Sequence, residues 1–243
     1  MRRLILTTAA IALSAGAVFA AAHEQTVRLG TEGAYAPYNF LNDAGEVDGF
    51  ERELGDELCA RAELTCEWVT NEWDSIIPNL VSGNYDAIIA GMSITEERDE
   101  VIDFSAPYTQ PDPSVYVAAS EDIDLSSAVI AAQAGTIQAS EVASMEGAVL
   151  VEFATPEETV AAVKNGEADA VLADKAFLVP VVDADPELMM VGEDVLLGGG
   201  IGMGFRESDA ELREKFTAAI ESMKEDGSLN ALIEKWLPES ATF

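Results

Sequence analysis

The sequence predicts an α/β protein built of two similar lobes. Short β-rich runs alternate with amphipathic stretches, which is the pattern of βαβ units around a mostly parallel sheet. This alternation occurs in the first half of the chain and recurs in the second half. The two halves also share a ten-residue pattern, because SGNYDAIIAG at 82–91 parallels NGEADAVLAD at 165–174. In each copy a helix ends at Gly, a turn leads to an Asp-Ala step, and a buried strand follows.

Each set of elements is expected to form a mixed sheet flanked by helices. The first set comprises strands at 26–30, 66–69 and 86–90 and helices at 50–64 and 74–81. The second set comprises strands at 129–132, 149–153 and 169–173 and helices at 139–145 and 157–165.

Two crossing segments are expected to join the lobes and act as a hinge. Pro111 and Pro113 prevent a helix at 108–114 and favour an extended crossing. The glycine-rich run LGGGIGMGF at 197–205 precedes predicted helices at 208–225 and 228–236 and is interpreted as the return crossing. The predicted division is therefore 23–111 for the first part of lobe 1, 112–197 for lobe 2 and 198–243 for the return segment of lobe 1.

The N-terminus has the pattern of a secretory signal. Arg2 and Arg3 precede an apolar and small-residue run at 4–19, and Ala-Ala-Ala at 20–22 fits an Ala-x-Ala cleavage site. A membrane anchor is the alternative, but an anchor needs about 20 strongly apolar residues. The sequence therefore predicts export, with residues 1–22 as a cleaved signal peptide.

The charge balance excludes one class of partners. Lys and Arg total 13 against 45 Asp and Glu, giving a formal net charge of −32 over 243 residues. Nucleic acids and anionic membranes are bound mainly through Lys and Arg, so neither is an expected partner. The acidic excess is interpreted as a solvated surface rather than a functional patch.

Cys59 and Cys66 are the two cysteines of the chain. In an exported protein this short spacing favours a disulfide over the alternative of two buried free thiols. The spacing fits neither a redox pair nor a zinc knuckle.

Motifs for nucleotide use and catalysis are mostly absent. The glycine run lacks the Gly-x-Gly-x-x-Gly spacing, and no Gly-Lys pair exists for a P-loop. The sole histidine, His23, falls at the processing site, which excludes histidine triads and histidine metal clusters on a folded core. Carboxylate catalysis stays open, since acidic residues are plentiful. We expect no cofactor, no metal and no catalytic residue.

Candidate binding residues lie where predicted strands end, because open α/β sheets bind ligands at the carboxyl ends of their strands. The strand at 86–90 leads to Ser93 and Arg98, and Ser93 with Glu96 is predicted to form a capping box. Plain helix capping, with Arg98 as a surface charge, is the alternative. The segment 133–138 supplies another helix start, Asp174 suits an ammonium, and Glu32 lies beside aromatic residues. The aromatic residues Tyr38, Phe40 and Phe50 are expected to belong to the core.

Ordered motifs along the chain resemble a known family. They are TEGAYAPYNF at 31–40, GF at 49–50, the Cys59/Cys66 pair, WDSIIP at 73–78, YDAII at 85–89, MSITEER at 92–98, QAGT at 133–136, DAVLAD at 169–174 and EDGS at 225–228. In these motifs the chain is similar to the polar amino-acid periplasmic binding proteins of ABC importers, solute-binding protein family 3. The lysine/arginine/ornithine- and opine-binding branch is the most similar.

The resemblance implies a type II periplasmic binding protein clamshell that closes on one free amino acid. Arg98 would hold the α-carboxylate with the Ser93 hydroxyl and amides near Thr136, and Asp174 would take the α-ammonium. Tyr35 and Trp73 would sandwich the ligand's side chain, and Glu32 would face its far end. The implied ligand-binding set is Glu32, Tyr35, Trp73, Ala90, Gly91, Ser93, Arg98, Thr136, Gln138 and Asp174. Ala90-Gly91 and Ile137 depart from the hydroxyl residues usual in relatives that bind cationic ligands.

The function implied is that of a periplasmic receptor, not an enzyme, which captures a polar, cationic amino acid and delivers it to a membrane permease. A monomer is expected. Glutamine or another neutral polar amino acid is the alternative ligand. A dehydratase-like enzyme on the same scaffold and a detached sensory module are the alternative functions.

Overall fold

The computed structural model describes residues 26–243. The predicted signal peptide and His23 lie outside the described residues. Within residues 26–243, no helix has both the length and the apolar character needed to cross a membrane. Two five-stranded sheets and one three-stranded sheet, with helices packed around them, form this part of the chain.

The first sheet has the order β5-β1-β6-β13-β7. Strands β1 and β5 and strands β1 and β6 are parallel, whereas β13 pairs antiparallel with β6 and β7. Its strands are β1 (Val27–Thr31), β5 (Cys66–Thr70), β6 (Ala87–Ile88), β7 (Asp103–Phe104) and β13 (Gly204–Phe205).

The second sheet repeats this mixed plan with the order β10-β9-β11-β8-β12. Strands β10, β9 and β11 are parallel, and β8 runs antiparallel to β11 and β12. Its strands are β8 (Pro113–Ala118), β9 (Val129–Gln133), β10 (Val149–Phe153), β11 (Ala170–Asp174) and β12 (Met189–Leu196). The predicted fold class, two mixed sheets flanked by helices, is confirmed.

A small antiparallel sheet, which the sequence analysis did not predict, follows β1. It consists of β2 (Ala34–Tyr35), β3 (Asn39–Leu41) and β4 (Val47–Asp48). These strands have two or three residues each, which is too short for an alternating pattern to show in the sequence.

Eight α-helices occur in residues 26–243. They are α1 (Phe50–Arg61), α2 (Ile76–Val81), α3 (Glu96–Asp99), α4 (Ile137–Ser144), α5 (Pro156–Asn165), α6 (Lys175–Ala184), α7 (Ala210–Asp226) and α8 (Ser228–Trp236). Helix α1 ends at Arg61 rather than Leu64, because Glu63 adopts a left-handed φ of 56°. Helix α6 was not predicted, since Pro180 in its interior argues against a helix.

The capping box predicted for Ser93 and Glu96 is wrong. Thr95 caps α3, and its hydroxyl accepts a hydrogen bond from the Arg98 amide at 3.2 Å. Ser93 instead forms an antiparallel bridge with Ile201. Because that pairing requires extended backbone at Ser93, the helix starts only after Thr95.

The core of the first sheet lies between β1 and the helices α1, α7 and α8. Leu29 of β1 is fully buried in this core, and each helix contributes apolar residues at helical spacing. The helical residues are Phe50, Leu54, Leu58, Phe216, Ile220, Met223, Leu229 and Ile233. Helix α7 packs on β7 and β13 of this sheet, and α8 packs on α1 and α7.

The predicted disulfide is present. Cys59 of α1 and Cys66, the first residue of β5, are bonded, and no cysteine in the described residues is free. The bond ties the end of α1 to the edge strand of the first sheet.

The two segments that connect the large sheets run side by side. The Tyr108 amide donates to the Ile201 carbonyl at 2.8 Å, and the Ile201 amide donates to the Thr109 hydroxyl at 3.2 Å. One segment leads into β8 and the other leads from β12 to β13. This pairing holds the connections together at one place.

Candidate ligand-binding site

The carboxyl ends of strands from both large sheets meet at one cavity of about 320 Å³. The structure brings all ten predicted binding residues to this cavity, together with Gln133 and Ile137. The lining residues are Glu32, Tyr35, Trp73, Ala90, Gly91, Ser93, Arg98, Gln133, Thr136, Ile137, Gln138 and Asp174.

Arg98 is half-buried on α3 and points across the cavity. Its Nη1 donates to the Ser93 carbonyl at 2.9 Å, and its Nη2 donates to the Gly135 carbonyl at 3.3 Å. The guanidinium lies 5.3 Å from the centroid of the Trp73 ring. Burial lowers the pKa of Arg98, but a guanidinium stays protonated in proteins. The cavity therefore contains a fixed positive charge.

Asp174 lies at the end of β11 and at the start of α6. Its two carboxylate oxygens accept hydrogen bonds from the Tyr35 hydroxyl at 2.7 Å and from Gln138 Nε2 at 2.8 Å. Burial raises the pKa of Asp174 to about 6, even though these hydrogen bonds lower it. A cation beside this carboxylate would favour its charged form.

Glu32 follows β1 and faces the second sheet. Its Oε1 accepts a hydrogen bond from Gln133 Nε2 at 2.6 Å, and the same Nε2 donates to the Ala154 carbonyl at 3.1 Å. Burial raises the pKa of Glu32 to about 7. In residues 26–243, the Glu32 carboxylate thus accepts a hydrogen bond from one side-chain donor, which belongs to the second sheet.

The aromatic residues connect the sheets as well. The Tyr35 ring stacks on Phe177 of α6 at a centroid distance of 4.8 Å and on Tyr38 at 5.7 Å. Trp73 Nε1 donates to the Gly135 carbonyl at 3.3 Å. Tyr38 and Phe50 are fully buried, and Phe40 packs on Trp236. The sandwich of a ligand side chain between Tyr35 and Trp73 stays a prediction.

Comparison with known proteins identifies the fold. Residues 27–239 match the model of the bacterial extracellular solute-binding proteins, family 3. The chain belongs to this family. The resemblance seen in the sequence is therefore confirmed over nearly the whole described part of the chain.

Relatives of this solute-binding protein include two proteins of Escherichia coli (strain K12). The histidine-binding periplasmic protein is 32% identical, over 97% of each chain. The lysine/arginine/ornithine-binding periplasmic protein is 30% identical, over 93% of each chain. Among solved structures, a periplasmic His/Glu/Gln/Arg/opine family-binding protein from Silicibacter pomeroyi in complex with lysine is 70% identical. It superposes with a TM-score of 0.88 over 90% of this chain and 100% of that chain.

Sequence reasoning left two lining residues of this solute-binding protein out of the candidate set. Gln133 is the last residue of β9, and Ile137 is the first residue of α4. The rule that ligands bind at carboxyl ends of strands also applies to Gln133 and could have found it. In the sequence, Ile137 stands out only as a departure from the hydroxyl residue usual in the relatives, and its apolar side chain alone does not distinguish it from core.

In the described part of the chain, the charged groups of the site form hydrogen bonds with neutral partners. None of the ion pairs within residues 26–243 involves Arg98, Asp174 or Glu32. Buried charges are stable only when they are paired or well hydrogen-bonded. The cavity of this solute-binding protein therefore complements a small molecule that carries one negative and up to two positive groups.

Proposed function

We propose that this protein is the substrate-binding component of an amino-acid ABC importer and captures a cationic amino acid of the lysine, arginine or ornithine type. The observation that carries the proposal is the set of unpaired charges around one cavity. Arg98 complements an α-carboxylate, Asp174 complements an α-ammonium, and Glu32 complements a second cation. The names of the relatives and the lysine complex of a protein 70% identical support the same ligand class.

The proposed roles follow the position of each group. Arg98 binds the α-carboxylate together with the Ser93 hydroxyl and amides near Thr136. Asp174 binds the α-ammonium, and Gln138 keeps the Asp174 carboxylate in place. Glu32 lies on the first sheet and Gln133 on the second, so a ligand cation between them would contact both sheets.

Glutamine is the second candidate ligand. Its side-chain amide could donate to Glu32 without a second positive charge. Ala90, Gly91 and Ile137 give the cavity few hydroxyls, which favours a ligand with fewer donors to satisfy.

The proposal includes location and partners. The relatives are named periplasmic binding proteins. We infer that residues 1–22 direct export of this chain, that they are then cleaved off, and that the protein acts in the periplasm. Its partners are then the free amino acid and a membrane permease, and it acts as a monomer without catalysis. We propose that residues 23–111 and 198–243 form lobe 1 and that residues 112–197 form lobe 2.

Calorimetry on the chain from residue 23 tests the ligand class. We expect binding of lysine, arginine or ornithine to be tighter than binding of glutamine or histidine, and the ligand should be recovered unchanged. Binding of glutamine with no binding of the three cationic amino acids would contradict the cationic ligand. Conversion of the bound ligand would favour the enzyme alternative.

A further inference from the structure

Glu51, the second residue of α1, is a fully buried acid outside the cavity. In the part of the chain that the structure describes, no ion pair includes it. A carboxylate in this position is destabilising unless several donors satisfy it. Burial raises the pKa of Glu51, and its three hydrogen bonds act in the opposite direction.

The three donors come from three separate segments of the chain. The Gly91 amide donates to Oε1 at 2.6 Å, and Asn39 Nδ2 donates to Oε2 at 2.7 Å. The Tyr108 hydroxyl also donates to Oε1. Glu51 is therefore a junction between the small sheet, the segment after β6 and the segment that leads to the connection between the large sheets.

Gly91 lines the ligand cavity, and its backbone is left-handed with φ 62°. A Cβ at this position would lie 3.3 Å from the Tyr35 ring. In a trans peptide the N–H and C=O groups point in opposite directions. The bond from the Gly91 amide to Glu51 therefore fixes the direction of the Ala90 carbonyl, which belongs to another cavity residue.

Asn39 connects Glu51 to the turn that follows β1. While its Nδ2 donates to Glu51, its Oδ1 accepts a hydrogen bond from the Gly33 amide at 2.7 Å. Gly33 directly follows Glu32. The orientation of the Asn39 amide is thus fixed by Glu51, and it in turn fixes the turn that holds Glu32.

Tyr108 connects the same carboxylate to the paired crossing segments, since its amide donates to the Ile201 carbonyl. We propose that Glu51 is a positioning residue of the ligand site, which holds Gly91 and the Glu32–Gly33 turn in their binding geometry and anchors both to the connection between the sheets. This inference rests on the proposed function for its ligand but concerns a residue that does not line the cavity.

Glu51→Gln tests the proposal with little change in volume. One oxygen remains to accept from Gly91 and Tyr108, but the new amide nitrogen faces Asn39 Nδ2, so that two donors meet. Asn39 must then rotate its amide and lose the bond from Gly33. We expect lysine affinity to fall at least tenfold in calorimetry and the Gly33 and Gly91 amide resonances to shift in NMR spectra.

The double variant Asn39→Asp/Glu51→Gln exchanges the two functional groups. The amide at position 51 can now donate to a carboxylate at position 39, whose other oxygen accepts from Gly33, and the net charge is that of the wild type. We expect lysine affinity to return to within threefold of the wild type. If Glu51 only stabilised the fold, Glu51→Gln would lower the free energy of unfolding without lowering lysine affinity. The double variant would then have no loss of affinity to restore.

Leu58→Ala is the control, because Leu58 is a fully buried residue near the other end of α1 and does not line the cavity. It should lower the free energy of unfolding but leave lysine affinity within twofold. Lysine affinity of Glu51→Gln within twofold of the wild type would overturn the proposal. If Glu51→Gln does not fold, the double variant decides: affinity within threefold supports the proposal, and a folded double variant more than tenfold weaker overturns it.

Failure of the proposed function gives a different result. A wild type that binds none of the amino acids tested would contradict the ligand class. The Gly33 and Gly91 amide resonances of the wild type and of Glu51→Gln would still test the Glu51 network, because they can be compared without a ligand.

Discussion

At the scale of single residues, the cavity contains the guanidinium of Arg98 and the carboxylates of Glu32 and Asp174, which make no ion pair with each other. Desolvation raises the pKa of Asp174 to about 6 and that of Glu32 to about 7. Since burial without a counter-charge disfavours the charged form, a ligand gains most affinity by supplying that charge. The chemistry of the ligand can therefore be tested one side chain at a time.

The first prediction concerns the groups of an amino acid's backbone. Arg98→Ala or Asp174→Ala should weaken every amino-acid ligand by about 2–5 kcal/mol, because each change leaves a buried ligand charge unpaired. Calorimetry measures the loss. Arg52→Ala is the matched control, since Arg52 also lies over an indole ring, that of Trp68, but away from the cavity. Affinity within twofold of wild type in either cleft variant would show that these roles are wrong.

The second prediction concerns pH. Because the pKa of Glu32 is about 7 and a neighbouring cation lowers it, binding of lysine near neutral pH should release a proton. Lysine affinity should therefore be greatest above pH 7 and fall as pH drops through about 7, by at most about tenfold per pH unit for this one proton. Calorimetry in two buffers of different ionisation enthalpy counts the protons.

Glu32→Gln is the control for the pH experiment. It should weaken lysine several-fold more than glutamine and should remove the dependence near pH 7, leaving only the part near pH 6 that Asp174 contributes. An unchanged pH profile in Glu32→Gln would contradict the assignment of Glu32 to the ligand cation.

At the scale of elements, strand ends and helix starts determine which residues reach the cleft. Glu32, Gln133 and Asp174 follow or end strands β1, β9 and β11, and Thr136 caps α4. The parallel strands β9, β10 and β11 begin with runs of apolar residues, and so their positions and the candidate residues beyond them could be predicted from the sequence.

Elements that depend on tertiary contacts could not be predicted. Strand β12 contains Gly192 and two acidic residues and forms only by pairing with β8 at the edge of the second sheet. The start of α3 depends on the bridge from Ser93 to Ile201, which are far apart in sequence. The network around Glu51 likewise joins four segments, and no local pattern indicates it.

The third prediction concerns the link between α1 and β5. Replacing both Cys59 and Cys66 by Ser should lower the free energy of unfolding by about 2–3 kcal/mol, because the unfolded chain regains the freedom of a short loop. Denaturant titration measures this change. Lysine affinity should stay within twofold, since Cys59 lies near the opposite end of α1 from Glu51. An unchanged unfolding free energy would contradict a stabilising role for the bond.

At the scale of the whole molecule, two mixed sheets face one cavity and are joined by paired extended segments. Contacts across the cleft are made by side chains, such as Tyr35 with Asp174 and Glu32 with Gln133. Two bodies that are joined in this way can move apart with little change in either core.

The fourth prediction is that ligand closes the lobes. Small-angle scattering should give a smaller radius of gyration with saturating lysine than without it. Arg98→Ala at the same lysine concentration is the control and should show no contraction. An unchanged wild-type profile at saturation would contradict closure about the segments near Pro111 and Gly199.

Trp73 gives the protein a built-in optical reporter. The chain has three tryptophans. The indole of Trp73 donates a hydrogen bond to the Gly135 carbonyl, which follows a strand of the second sheet. By contrast, the Trp68 indole donates to Asp56, and the Trp236 ring contacts Phe40. These two tryptophans and their partners belong to the part of the chain around the first sheet. Separation of the lobes would expose the Trp73 indole to water, so its emission should move to longer wavelength. In a variant that carries Trp68→Phe and Trp236→Phe, stopped-flow fluorescence would therefore measure the rate of ligand binding without an attached dye.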